Sequence, residues 1–397
     1  MSEFDDLLAK FTEKGHAKVH GALFQCVDKH GNEIYNKISG YDSLGGDAAP
    51  LREDCVLKMT SGSKLMASIA LLQCVDKGLI GLDEPIAKVL PELEDKEILK
   101  LGSESELISE PSKTKITARH LLTHTSGLAY RFLNPLLIKW ATTPAAQQDK
   151  IGVSIAEKYN VPLVFEPGDG WAYGVGIDWA GLAVRRLHGG MSLEDYMNEN
   201  IWSKVGLSAP FPTFQISKDP EYKSRLMKAA ERTPDGLLQP FEFWQGDNPN
   251  EQDGGHGLVA TAKDYLAVLA DLISDSPKLL KPETIALAFE PQIAPGSPAM
   301  TMLQQLRPAW ETISGPVSNS EVNHGLLGLL LTGNMPEIGQ PKGILGWGGA
   351  AGTIWFVSKE SGVAGIFGTQ ISPFGDAAVK ELINAWKKDF WSGFNAA

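Results

Sequence analysis

Phe4, Leu7, Leu8 and Phe11 recur at helical spacing and predict an amphipathic helix over residues 3–15. Two strand-like runs, 22–27 and 33–38, come next, joined by Asp28-Lys-His-Gly-Asn, which has hairpin chemistry. A third short run, 55–59, leads into Thr60-Ser61-Gly62-Ser63-Lys64. Beyond it Leu65, Ile69, Leu72 and Val75 define one face of a helix, and Gly78 supplies its stop. Between roughly 80 and 250, helix signals, Pro and Trp dominate, alternating runs are few, and 231–255 reads as loop. Strand patterns return in 325–331, 353–357 and 363–369, with Ser358-Lys-Glu-Ser-Gly as a turn, and an amphipathic helix over about 376–394 closes the chain. The two ends carry strands and helices and the middle is helical. The expected architecture is therefore an α/β sheet domain built from 1–80 and 255–397, with a mostly helical domain, 81–254, inserted.

Composition narrows the function classes. The chain has 397 residues, 43% apolar and 21% charged, enough for a large core. A net charge of −12 argues against nucleic acid or an anionic membrane as partner, because the background field repels polyanions. Cys26, Cys55 and Cys74 are too few and too scattered for a disulfide framework or a zinc cage. His120 and His124 stand four apart but lack the Glu of a His-Glu-x-x-His motif, so no metal and no cofactor is expected. No stretch approaches a membrane span, and the acidic start reads as no secretory signal; a cytoplasmic protein is expected.

The candidate chemistry begins at Ser61-x-x-Lys64, where a strand runs into a helix. The spacing puts both side chains on one helical face. A serine hydroxyl needs a base beside it, and a lysine can serve if its surroundings favour the neutral amine. Free N–H groups at the helix mouth, that of Ser61 included, can face a developing oxyanion. Trp171-Ala172-Tyr173-Gly174 offers a phenol that relays a proton beside a cation. Gly346-Trp347-Gly348-Gly349-Ala350-Ala351-Gly352 offers a glycine-rich strand that a substrate can approach, with the Ala350 N–H as second oxyanion donor.

These motifs, in this order, resemble the serine β-lactamase-like superfamily of class C β-lactamases, penicillin-binding proteins and family VIII esterases. Ser61-Gly-Ser-Lys64 stands at its S-x-x-K motif, Tyr173-Gly-Val at Y-x-N, and Trp347-Gly348-Gly349 where β-lactamases have K-T-G. His120-Leu-Leu-Thr-His124-Thr-Ser-Gly-Leu128 and Gly254-Gly-His-Gly-Leu258 are similar to further shared stretches. Within the superfamily the text is most similar to fungal lovastatin-type acyltransferases and their esterase relatives, on Tyr130-Arg-Phe-Leu-Asn-Pro and Tyr173-Gly-Val-Gly-Ile-Asp-Trp. The resemblance implies an antiparallel sheet flanked by terminal helices. It implies Ser61 as acylated nucleophile, Lys64 and Tyr173 as base and relay, and the Ser61 and Ala350 N–H groups as oxyanion hole. It implies an acceptor pocket near Tyr130, Lys158, Trp244 and Phe374, with Trp347, Gly348 and Gly349 along the substrate.

Two departures bear on the reaction. Val175 replaces the asparagine of Y-x-N, and Trp347 replaces the lysine of K-T-G. Both favour ester or thioester chemistry over β-lactam hydrolysis. The leading expectation is a serine esterase working through an acyl-Ser61 intermediate. The alternative is an acyltransferase moving the group from an ester or thioester to a hydroxyl of a small, polyketide-like acceptor. A weak β-lactamase and an inactive ligand-binding homologue stand behind these.

Overall fold

Strand alternation at the two ends of the chain resolves into one sheet. The computed structural model describes residues 2–147, 154–243, 251–316, 318 and 321–396. We label the strands of the main sheet β1 (Gly21–Asp28), β2 (Glu33–Gly40), β3 (Val322–His324), β4 (Leu329–Leu331), β5 (Ile344–Gly349), β6 (Thr353–Ser358) and β7 (Val363–Gly368). They lie in the order β2-β1-β7-β6-β5-β4-β3, antiparallel throughout. N-terminal and C-terminal strands meet in the β1–β7 pair, where Leu23 faces Gly368 and Asp28 faces Val363.

The inner strands are buried along their whole length, so both faces must be covered. Successive residues show how. Phe356 packs against Trp386, Phe390 and Trp391 of the terminal helix α5 (Ala377–Ala396), with Phe24 joining through Trp386 and Phe4 of α1 (Glu3–Phe11). Trp355, one residue earlier, points the other way and meets Tyr265 of α4 (Ala262–Ile273). α2 (Ser63–Asp76) and α3 (Gly176–Leu187) pack against each other.

Several elements depart from the sequence pattern. The first helix ends at Phe11, where the Thr12 hydroxyl turns back to the Leu8 carbonyl at 2.9 Å. α2 is not one-faced: every residue from Ser63 to Cys74 is buried, because the helix runs through the interior. The 55–59 run does not join the main sheet; Val56–Lys58 pairs with Val259–Thr261 instead. The 325–331 run is a turn followed by β4, the turn marked by a Gly325 N–H to Gly328 carbonyl bond at 2.8 Å. The middle of the chain holds two hairpins that its sparse alternation did not announce, Glu97–Leu101 with Leu107–Pro111 and Ala229–Arg232 with Leu238–Phe241. Among the described residues no helix is long and apolar enough to cross a membrane.

Candidate active site

The Val56–Lys58 strand delivers the chain to a 3-10 turn, Thr60–Gly62, that runs directly into α2. Thr60 has φ 44°, in the left-handed region that costs a β-branched residue roughly 1–3 kcal/mol. Four contacts hold it there. Thr60 Oγ1 accepts the Ala351 N–H at 3.3 Å, and the Thr60 carbonyl accepts the Ser63 hydroxyl at 2.6 Å. The Met59 carbonyl accepts Thr353 Oγ1 at 3.3 Å, and the Gly62 carbonyl accepts the Tyr265 hydroxyl at 2.8 Å. Gly349 at the end of β5 permits this approach: a Cβ there would overlap the Met59 carbonyl and the Thr60 and Thr353 hydroxyls. The glycine-rich strand is therefore sealed against the Ser61 turn at Gly349, and against Ile354 at Gly348.

Ser61 and Lys64 lie one turn apart, Lys64 Nζ donating to Ser61 Oγ at 3.4 Å. Tyr173 arrives from the other side, its hydroxyl 2.6 Å from Ser61 Oγ. Lys64 Nζ also donates to the Tyr130 hydroxyl at 3.0 Å and to the Gly255 carbonyl at 2.7 Å, so all three of its donors are directed. The loops carrying the two tyrosines are tied together by a Tyr130 N–H to Tyr173 carbonyl bond of 3.1 Å. Gly174 allows the contact, since a Cβ would overlap the Leu128 carbonyl. Burial, with Asp178 and Tyr173 nearby, pushes the Tyr130 phenol well above its ordinary range, so it stays protonated.

The 120–128 block supports Tyr173. His120 closes a capping box with Thr117 at the head of the Ala118–Leu122 helix. His124, at φ 58°, accepts the Ala172 N–H on its carbonyl at 3.0 Å and sets its ring 5.0 Å from that of Tyr173. Around it stand Trp171, Trp310, His324 and Trp347, with Trp347 5.4 Å from Tyr173. Burial holds His124 well below the ordinary imidazole value and His324 down to about 4, so this wall is neutral.

The opposite side is charged. The Gly255 N–H donates to Asp178 Oδ1 at 2.9 Å. Asp178, Asp253 and His256 bring potential ligand atoms within 4.8 Å of one another, the arrangement among the described residues that could hold a cation. A cation is already present, because Lys158 Nζ sits 3.0 and 2.9 Å from the two Asp253 oxygens. Tyr159 donates to Asp253 at 2.9 Å and lies 2.7 Å from His256 Nε2. Burial first, then Asp253, lift the Asp178 carboxyl to about 7.

The residues singled out from sequence fare unequally. Ser61, Lys64 and Tyr173 converge. Tyr130, expected as pocket wall, puts its hydroxyl on Lys64. Lys158, expected in the same pocket, is taken by Asp253. Ala350 is exposed in the β5–β6 turn, next to the buried Ala351 whose N–H anchors Thr60. Phe374 is exposed on the turn after Ile371–Ser372, and Trp244 lies outside the described residues. Sequence reasoning missed Asp178, Asp253, Thr60 and the carbonyl of Gly255. Asp178 and Gly255 lie inside the stretches that carried the resemblance.

The Beta-lactamase family model matches residues 4–387. The chain is 56% identical to "Acyltransferase calJ" of Penicillium decumbens, over 99% of each chain. It is 30% identical to "Lovastatin esterase" of Penicillium rubens, over 96% of each. Among solved structures it superposes on simvastatin synthase (LovD) of Aspergillus terreus with a TM-score of 0.90 at 28% identity, covering 99% of this chain and 98% of that one. Motifs, fold and relatives agree: the chain belongs to the Beta-lactamase family and is one of its serine-dependent enzymes of the esterase and acyltransferase kind.

Proposed function

We propose that the protein transfers an acyl group from a thioester or ester donor to a hydroxyl of a small apolar acceptor, through an ester on Ser61. The reading rests chiefly on the Tyr173 hydroxyl at 2.6 Å from Ser61 Oγ with the Lys64 amine on the same atom. The Ser61 proton passes to the Tyr173–Lys64 pair as Oγ bonds to the acyl carbon. The carbonyl oxygen becomes an oxyanion facing the N–H groups of Ser61 and Ala350. The tetrahedral intermediate collapses, the C–S or C–O bond breaks, and the pair returns the proton to the departing thiolate or alkoxide. The acceptor hydroxyl then gives its proton to the same pair and attacks the acyl carbon, and Ser61 Oγ leaves reprotonated.

Water in place of the acceptor turns the same cycle into an esterase. The balance rests on how well the acceptor fills the site and excludes water. The neutral aromatic wall of Trp171, Trp310 and Trp347 supports an apolar acceptor, and the relative named an acyltransferase at 56% identity supports transfer. The buried free thiols of Cys26, Cys55 and Cys74 support a reducing, cytoplasmic setting. Incubation with a short acyl thioester and a panel of polycyclic alcohols, followed by mass analysis, tests the reading. An acylated alcohol formed faster than free acid is expected. Free acid alone, at every acceptor concentration, makes the protein an esterase.

A further inference from the structure

The chemistry proposed above leaves unused a buried carboxyl close to Lys64. Asp178, in the first turn of α3, is fully buried; Oδ1 accepts the Gly255 N–H, and Oδ2 has no hydrogen-bond partner among the described residues. An unmatched buried carboxylate oxygen is costly, and an ordinary core would not keep it. Its neighbour explains its presence. Gly255 receives Lys64 on its carbonyl at 2.7 Å and gives its N–H to Asp178 at 2.9 Å, so one residue links the two side chains. Only glycine fits, because a Cβ would stand 2.5 and 2.7 Å from the Asp178 oxygens.

We infer that Asp178 is a positioning residue for the Ser61 chemistry: through Gly255 it holds Lys64 in place, and its charge sets how readily the Lys64–Tyr173 pair gives up a proton. The inference rests on the acyl-enzyme reading above. The groups facing Asp178 are Lys64 of α2, Asp253 and His256 of the 251–258 loop, Lys158 and Tyr159 of the Ile155–Tyr159 helix, and Tyr130. With both carboxylates ionised, two anions meet the two ammonium groups of Lys64 and Lys158. With Asp178 protonated, one positive charge is uncompensated.

The direction of the effect follows from charge. To accept the Ser61 proton, the Lys64–Tyr173 pair must first have lost one of its own. An ionised Asp178 favours retention of that proton. Asp178→Asn keeps an oxygen for the Gly255 N–H and removes the charge, so the pair deprotonates at lower pH. Lys158→Met removes a cation from the same cluster and acts in the opposite sense.

The test is the rate of Ser61 labelling by a fluorophosphonate from about pH 5 to 9, read by intact and peptide mass, with thermal melts alongside. For D178N the acidic limb is expected to move down by about half a pH unit or more, and for K158M to move up. A D178N protein that labels more slowly at every pH with its limb unmoved would make Asp178 structural only and overturn the inference. Should D178N fail to fold, K158M decides alone, because its side chain is one-third exposed and an unmoved limb overturns the inference equally. Labelling of the wild-type protein at a residue other than Ser61 would overturn the acyl-enzyme reading instead, and the peptide mass separates the two failures.

Discussion

Ser61 lies on a seam between two unlike walls. On the β5 side stand Trp171, Trp310, Trp347, His124 and His324, buried and neutral. On the α3 side stand Lys64, Asp178, Asp253 and Lys158, buried or half-buried and linked through Gly255. On the proposed reading, the first wall shapes and dries the space before Ser61, and the second holds the ionisable groups. Tyr173 touches both, with its ring on Trp347 and its hydroxyl on Ser61. Residues that touch the reacting oxygen should therefore govern turnover, and those behind them should govern its pH dependence and the stability of the fold.

The largest effect is expected at the seam itself. Ser61→Ala should lower hydrolysis of p-nitrophenyl butyrate by about three orders of magnitude or more, with an unchanged melting temperature, since the nucleophile is lost and little packing with it. Wild-type activity in that variant would refute the covalent route. The two tyrosines come next. Tyr173→Phe should cost roughly 10²–10⁴ in kcat, as loss of a group in proton transfer does. Tyr130→Phe removes one of three acceptors of Lys64 and should cost about tenfold. Equal losses would mean that the phenol on Ser61 has no privileged role and that both rings act by packing.

How much of this was legible in the chain follows the same division. Ser61 and Lys64 were readable together from their three-residue spacing, and Tyr173 joined them through the family resemblance. The strands at the two chain ends were readable because alternation and turn residues are local signals, and their antiparallel arrangement came with the resemblance. The charged wall was not, since Asp178, Gly255 and Lys158 meet only through tertiary contact between α3, a loop and a short helix, and no period encodes that meeting. Lys158 shows the cost: the resemblance implies a pocket contact for it, yet both Asp253 oxygens lie on its ammonium. The burial of α2 on all sides was hidden for a related reason. Its polar residues Ser63 and Gln73 find partners far off in sequence, such as the Leu258 N–H on Ser63 at 3.0 Å and the Leu279 carbonyl on Gln73 at 3.1 Å.

A smaller expected effect tests the clamp on the nucleophile turn. Gly349→Ala forces a methyl group into the Met59 carbonyl and two threonine hydroxyls. Overpacking against backbone costs about 1–3 kcal/mol. The melting temperature should fall by several degrees, and activity should fall with it because Thr60 and Ser61 must shift. A variant as stable as wild type would mean that β5 can move away from the turn, and that the strained Thr60 is not held by it.

The smallest effect separates the buried imidazoles from Asp178 by the sign of their pH dependence. Burial holds His324 at about 4, as it does His256 and His20, against about 6.5 unfolded. The unfolded chain therefore binds more protons below the unfolded value, and these three histidines withdraw stability as pH falls from about 6.5 toward 4. Asp178 acts in the other direction. Its folded value of about 7 lies above the unfolded 3.8, so the folded state binds the extra proton and gains stability as pH falls through 7. D178N is neutral at every pH. It should be more stable than wild type near pH 8, where wild type keeps a poorly solvated carboxylate, and the difference should be smaller at pH 5 and close only as pH falls toward 3.8. Melting curves of the two proteins at both pH values measure this. A constant difference would mean that Asp178 does not titrate in the folded protein, and that the charged wall is held in one protonation state throughout.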